Sequence, residues 1–367
     1  MRTHRLWRVL GFATVLSVVL AACAAPMLAP PTAVPTTAPT EAPAATGHRL
    51  PEPLSPPETV KVAYVPIIHF APLYVAKERG FFEKLGLNVE LERVKSGTEA
   101  IAFLTSGQLD VGAIAVSASA WNAFNKGMDL RVVAPAGLKR LKDDPTMLLV
   151  RTDLYESGEV TKPADLKGRT VAMAGGPGGG GEYLVSKALE GSGITVHDVN
   201  MVKVGNADMP AAFENKAIDA GLLGAPYAEQ VLQAGTAKVL VKDMAPGAMT
   251  VVYVYSGKFM KERPEAAKRF MVAMMQAVRA MQGDDYLSDE NLAAYLAYVK
   301  STADAIRKGV PMIYDPEMKI DLDSLRDVER VHRENGRTDY TEPVDMSKVV
   351  DSSWRDYALS VLGPYQP

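Results

Sequence analysis

Cysteine is almost absent from this 367-residue chain, with Cys23 the only one. That excludes an intramolecular disulfide and any cysteine-based metal cluster or redox pair in the body. Histidine is nearly as scarce. The four beyond the leader, His48, His69, His197 and His332, show no H-E-x-x-H or other metal-ligand spacing. No apolar run is long enough to span a bilayer, which takes roughly twenty residues. Positive charge is not in excess either: 40 Lys and Arg stand against 43 Asp and Glu, a net charge of -3. Three of those arginines sit in the first eight residues, so the rest is more acidic still. A mildly acidic body without a basic stripe excludes a nucleic-acid surface and a broad electrostatic membrane surface.

What is present begins with Arg2, Arg5 and Arg8 ahead of the apolar stretch Val9 to Leu20, which closes on Leu20-Ala21-Ala22-Cys23. This order reads as an export signal over residues 1-22. The tetrapeptide resembles the lipobox of bacterial lipoproteins, which implies lipidation of Cys23. Acyl chains contribute about 0.8 kcal/mol per buried CH₂, so two or more anchor stably. Residues 23-57 are rich in Pro, Ala and Thr. They cannot bury enough surface to offset their ordering entropy and read as a lipid-anchored tether. The expected location is the extracytoplasmic face of the cell membrane.

The body from Glu58 onward exceeds what one core comfortably holds, so two lobes are expected. Val60 to Val65 alternates with β-branched residues and predicts a strand, halted by Pro66. Ala71 to Arg79 predicts a helix, with Pro72 in its first turn and Gly80 ending it. Ser96-Gly97-Thr98-Glu99 has the spacing of a capping box opening a helix over Thr98 to Ser106. Strands at Asp110 to Val116, Leu130 to Ala134, Thr170 to Ala174, Met201 to Val204 and Ala220 to Leu223 alternate with helices. That rhythm implies βαβ units and parallel sheets. Pro264 to Met281 is amphipathic, with Phe270, Met271, Met274 and Val278 on one face, which reads as core.

Several segments together resemble one family. They are Val62-Ala63-Tyr64-Val65-Pro66, His69-Phe70-Ala71-Pro72-Leu73-Tyr74-Val75-Ala76, Gly80-Phe81-Phe82 and Gly107-Gln108-Leu109-Asp110-Val111-Gly112. Asp208-Met209-Pro210-Ala211-Ala212 and Pro226-Tyr227 follow in order. The chain is similar to the importer-associated binding proteins for nitrate, sulfonates, taurine and thiamine-type pyrimidines, with a lean toward riboflavin binders. The resemblance implies an α/β, type II periplasmic-binding fold with two mainly parallel sheets and a cleft. It assigns 58-145 and 250-367 to lobe 1 and 146-249 to lobe 2, with the C-terminal helices packing back on lobe 1. It implies an ABC-importer permease as partner, a monomer, no cofactor and no catalysis. The pyrimidine synthases of the same superfamily carry a cysteine-rich motif that this body lacks.

In open α/β sheets ligands sit beyond the carboxyl ends of strands, facing helix N-termini. The corresponding turns carry His69, Phe70, Ser96, Gly97, Ser117 and Trp121 in lobe 1. In lobe 2 they carry Gly178, Tyr183, Asn206, Asp208 and Tyr227, with Glu229 one turn further. Ser96, Ser117 and Asp208 also suit plain N-caps, and Phe70 and Trp121 also suit the core. Tyr183 and Tyr227, each in a first helical turn, are expected to be exposed at the cleft. Gly176 to Gly181 matches G-x-G-x-x-G, but no acidic residue closes the next strand and no Walker lysine follows. The loop reads instead as glycines that let the backbone approach a ligand. With aromatics, small polar residues and only Lys139 and Arg140 as nearby cations, the expected ligand is a vitamin-like aromatic heterocycle. Riboflavin comes first and a thiamine-type pyrimidine second, with simple anions disfavoured.

Overall fold

In the computed structural model the described residues are 49–367, so the expected export signal, Cys23 and most of the expected tether lie outside them. The described residues belong to one compact unit. It contains two five-stranded sheets of matching design. Strands β1 (Glu58–Tyr64), β2 (Leu87–Arg93), β3 (Val111–Ala115) and β4 (Leu130–Pro135) come first in the chain. β5 (Met147–Arg151), β6 (Thr170–Met173), β7 (Asn200–Lys203), β8 (Ala220–Leu223), β9 (Ala237–Val241) and β10 (Val251–Ser256) follow. The first sheet has the order β2-β1-β3-β10-β4 and the second β7-β6-β8-β5-β9.

β1 runs parallel to β2 and β3, and β6 runs parallel to β7 and β8. The two antiparallel insertions are the strands that follow a change of sheet. β5 lies antiparallel between β8 and β9, and β10 lies antiparallel between β3 and β4. A strand entering directly from the other lobe has no crossover helix behind it, so it is free of the parallel requirement. The sheets are therefore mixed, and the exceptions to the expected parallel pattern are these two strands.

The first-sheet helices are α1 (Ala71–Glu78), α2 (Gly97–Thr105) and α3 (Ala118–Asn125). The second sheet is covered by α4 (Thr152–Glu156), α5 (Gly180–Leu189), α6 (Met209–Glu214) and α7 (Tyr227–Gln233). After β10 come α8 (Gly257–Glu262), α9 (Pro264–Arg279), α10 (Asp289–Tyr298), α11 (Ala303–Lys308), α12 (Leu322–Glu334) and α13 (Ser353–Leu362). α9 carries the predicted apolar stripe, and its methionines 271, 274, 275 and the nearby Met281 are buried. Phe270 of α9 stacks on Phe82 with ring centroids 4.9 Å apart, pinning this helix to the first sheet.

The chain changes sheet twice, over residues 136–146 and 242–250. The two passages are tied to each other. Lys139 donates its backbone N–H to Ala248 O at 3.0 Å, and the Asp144 N–H donates to Asp243 Oδ1 at 2.8 Å. Among the described residues no helix is long and apolar enough to cross a membrane.

Candidate functional site

The strand ends of both sheets face a cavity of about 750 Å³, counted with its open mouth. Its walls are largely apolar: Val65, Ile67, Phe70, Leu184, Leu222 and Val251 line it. Polar groups enter at a few points, namely His69, Ser96, Lys139, Thr146, Asn206 and Thr250. No aspartate or glutamate is part of the lining.

Two helices from opposite lobes start at this cavity. Gly97 opens α2 and Gly180 opens α5, and both helices begin without a side-chain cap. Their first N–H groups and dipoles therefore offer partial positive charge to the cavity. The expected capping box is not made. Glu99 accepts the N–H of Lys95, one residue ahead of the cap, at 2.9 Å, and the buried Ser96 hydroxyl has no protein partner. The buried Nδ1 of His69 is likewise unpartnered. Buried polar atoms are ordinarily paired, so two unpaired ones in one cavity mark groups kept for a ligand or for water.

Lys139 lies on the first passage between the sheets, fully inside. Its Nζ donates to Thr146 Oγ1 at 2.5 Å and to Asp144 Oδ1 at 3.3 Å. Asp144 also accepts the N–H groups of Arg140 and Thr146, each at 2.8 Å. Burial lowers the lysine pKa, and the Asp144 carboxylate pulls the other way. Burial alone would raise the Asp144 pKa, but the lysine charge and the two N–H donors outweigh it and hold the carboxyl down. Burial, with the Lys139 charge beside it, pushes His69 down to about 3, so its imidazole is neutral near pH 7.

His69, Phe70, Ser96, Gly97 and Asn206 line the cavity. Gly178 and Asp208 stand outside the lining, and Asp208 is exposed. The buried Ser117 hydroxyl bonds Ser119 Oγ at 2.8 Å. Trp121 is buried edge-on against Phe124, with ring centroids 5.7 Å apart. The tyrosines expected at an exposed cleft wall are both buried elsewhere. Tyr183 donates its hydroxyl to Asp327 of α12 at 2.8 Å, and Tyr227 reaches the Pro66 carbonyl at 3.4 Å. Each helix turned its aromatic face toward a partner remote in sequence, which the first-turn position does not reveal. Glu229 is also off the lining, and burial raises its pKa. Arg140 donates to Pro311 O at 2.9 Å instead of facing the cavity.

Lys139, expected only as a nearby cation, lines the cavity, and so do Thr146, Leu184, Leu222, Gly224 and Thr250, which were not among the predicted contacts. Lys139 and Thr146 belong to a passage between sheets, where no strand-to-helix turn signals a binding position. Among the described residues no group of three or more His, Cys, Asp or Glu is placed to hold a metal ion.

With this geometry in place, the profile of the NMT1-like family matches residues 54–297. The chain belongs to the NMT1-like family. Chains of Brucella abortus carrying a provisional binding-protein name are 25% identical over 226 residues, 55% of this chain and 60% of theirs. The NMT1-like chain thus spans about 60% of the length of those relatives. The 4-amino-5-hydroxymethyl-2-methylpyrimidine phosphate synthase THI11 of Saccharomyces cerevisiae is 23% identical over 255 residues, 66% of this chain and 70% of that enzyme. Among solved structures, the alkanesulfonate-binding protein of Xanthomonas axonopodis pv. citri bound to MOPS superposes with a TM-score of 0.65. It is 16% identical and covers 80% of this chain and 98% of that one. This likeness establishes the two-lobed periplasmic-binding fold.

Proposed function

We propose that this NMT1-like protein is the solute-capturing component of an ABC importer. It is held at the extracytoplasmic face through Cys23 and hands its ligand to a membrane permease. The ligand class that the cavity favours is a compact organic anion with an apolar body. One observation carries this reading: uncapped helix starts from both lobes, Gly97 and Gly180, converge on a cavity lined by no carboxylate. An anionic head would take the free N–H groups and the spare donor of Lys139, and dipoles at both helix starts favour negative charge there. The apolar walls would hold the remainder of the molecule.

Anions were disfavoured on sequence grounds because few cations sit near the cleft. Helix starts supply the missing positive potential, so the preference reverses. Riboflavin and the thiamine-type pyrimidine retain Phe70, Ser96 and Asn206 as cavity contacts. They lose Tyr183, Trp121 and Tyr227 as stacking partners, because none of these lines the cavity.

The test is a thermal-shift panel of alkanesulfonates, alkyl and aromatic carboxylates, nitrate, riboflavin and hydroxymethylpyrimidine. A ligand that binds only the native state stabilises it by RT ln(1 + [L]/Kd). A saturable rise in Tm with an organic anion is the expected result. Quenching of riboflavin fluorescence at micromolar protein, with no shift from any anion, would overturn the anion assignment.

A further inference from the structure

The glycine loop that brings α5 to the cavity is held by a buried carboxylate. Glu182 has no exposure to solvent. Its Oε2 accepts the Gly178 N–H at 2.6 Å, which ties the start of α5 back to the loop before it. Gly178 itself has φ +73°, a conformation that glycine adopts freely. The rest of the Glu182 shell comes from far along the chain. Arg337 Nε donates to Oε1 and Oε2 at 2.9 and 3.0 Å, and Asn335 Nδ2 donates to Oε1 at 2.9 Å. Asn335 Nδ2 also donates to Ser186 Oγ at 2.9 Å. A carboxylate removed from water is tolerated only when charged donors surround it, and here the decisive donors follow the end of α12.

The same C-terminal segment is fastened to the first lobe. The Asp339 N–H donates to Asn122 Oδ1 of α3 at 2.9 Å, and Asp339 pairs with Lys126. At the start of α12, Ser324 Oγ accepts the N–H of Met249, in the second passage between the sheets, at 3.0 Å. Further contacts bind α12 to the second lobe. Asp327 accepts from the Tyr183 hydroxyl at 2.8 Å and pairs with Lys187 at 3.1 Å. α12 and the residues after it therefore do not simply pack back on lobe 1. They bridge α3 and α5.

We infer that residues 322–339 form a strap across the two lobes, in which Arg337 and Asn335 are positioning residues acting through Glu182. Their part is to hold loop 175–181 in its ligand-facing geometry and to keep the lobes together. Three residues of that loop, Gly175, Gly180 and Gly181, line the cavity, so the strap sets the cavity wall without touching a ligand. This inference concerns the unliganded protein and does not depend on which solute is bound.

Hydrogen exchange followed by mass spectrometry, together with small-angle scattering on the unliganded chain, tests it. Variants are Arg337→Ala, Asn335→Ala and the milder Arg337→Gln, which keeps the side-chain bulk should the truncation fold poorly. Amides within 174–183 should exchange about tenfold faster, as expected for losing one charge-assisted hydrogen bond to a local opening unit. β1 and β3 should keep their protection, and the radius of gyration should rise. Arg337→Lys should restore most of the protection, because a single donor at the carboxylate is retained. Unchanged exchange over 174–183 in these variants would overturn the strap. Equal acceleration in β1 and β3 would also overturn it, since it would reveal a general stabilising role only.

Discussion

Gly180 at the start of α5 stands so close to Ala115 at the end of β3 that a Cβ on Gly180 would lie 2.5 Å from the Ala115 Cβ. The two residues belong to different lobes, and no pair of carbons tolerates that separation. Glycine at 180 is thus what permits the α5 start to reach the cavity beside the first lobe. Gly180→Ala should hold the lobes apart. The overpacking cost is about 1–3 kcal/mol, which weakens the ligand-bound closed form by roughly five- to 150-fold. Small-angle scattering should show a larger radius of gyration. An unchanged radius with undiminished affinity would contradict this role.

His69 makes stability depend on acidity. Unfolded, its imidazole takes up a proton near pH 6.5, while in the folded protein burial and Lys139 hold this off until about 3. Between those values the unfolded state binds more protons, so acid favours unfolding. The contribution is complete above pH 6.5 and is lost as pH falls toward 3, at up to ~1.4 kcal/mol per pH unit. His69→Gln should flatten that part of the stability profile, measured by urea unfolding at pH 7, 5.5 and 4.5. Parallel profiles for the two proteins would refute it.

Lys139 and Asp144 are both buried, with side chains about 5% and 3% exposed. Removing one partner leaves the other charge without compensation, at a cost of about 3–5 kcal/mol. Lys139→Met alone should lower the urea midpoint sharply. Adding Asp144→Asn to it should recover much of the loss, although the N–H donors of Arg140 and Thr146 would then meet a weaker acceptor. If the double variant is no more stable than Lys139→Met, the pair does not carry the interaction assigned to it.

The proposed anchor has a simple readout. Cys23→Ala should move the protein from the membrane fraction to the soluble fraction, or leave it as an unprocessed precursor. Ligand affinity of the processed body should stay the same, because the cavity lining begins only at Val65. Recovery of an acylated Cys23→Ala protein from membranes would remove Cys23 as the attachment point.

Much of the architecture could be read from local patterns, because strands and helices of a βαβ unit each carry their own periodicity. β1, β3, β6 and β8 and the starts of α2, α5, α6 and α7 lie within a few residues of where alternation, glycine and proline put them. The turns after those strands also located part of the cavity, since a turn at a strand's carboxyl end faces the ligand side wherever the sheet is parallel. Direction of side chains was different. Tyr183 and Tyr227 sit in the predicted turns, yet each points toward a partner distant in sequence, Asp327 and Pro66, while Trp121 is buried against Phe124 of its own helix.

The sequence by itself determined the alternating strand and helix segments, the need for two lobes and the exclusion of an intramolecular disulfide or a cysteine-based metal cluster. These follow from composition, periodicity and chain length, which act locally or as totals. Only the tertiary structure decided that β5 and β10 enter their sheets antiparallel, that Lys139 and Thr146 reach the cavity, and that α12 bridges the lobes. Each of those depends on pairing between residues tens to more than a hundred positions apart, such as Glu182 with Arg337. No local pattern encodes such a pairing. It is settled by which buried charge finds which donor once the sheets have packed.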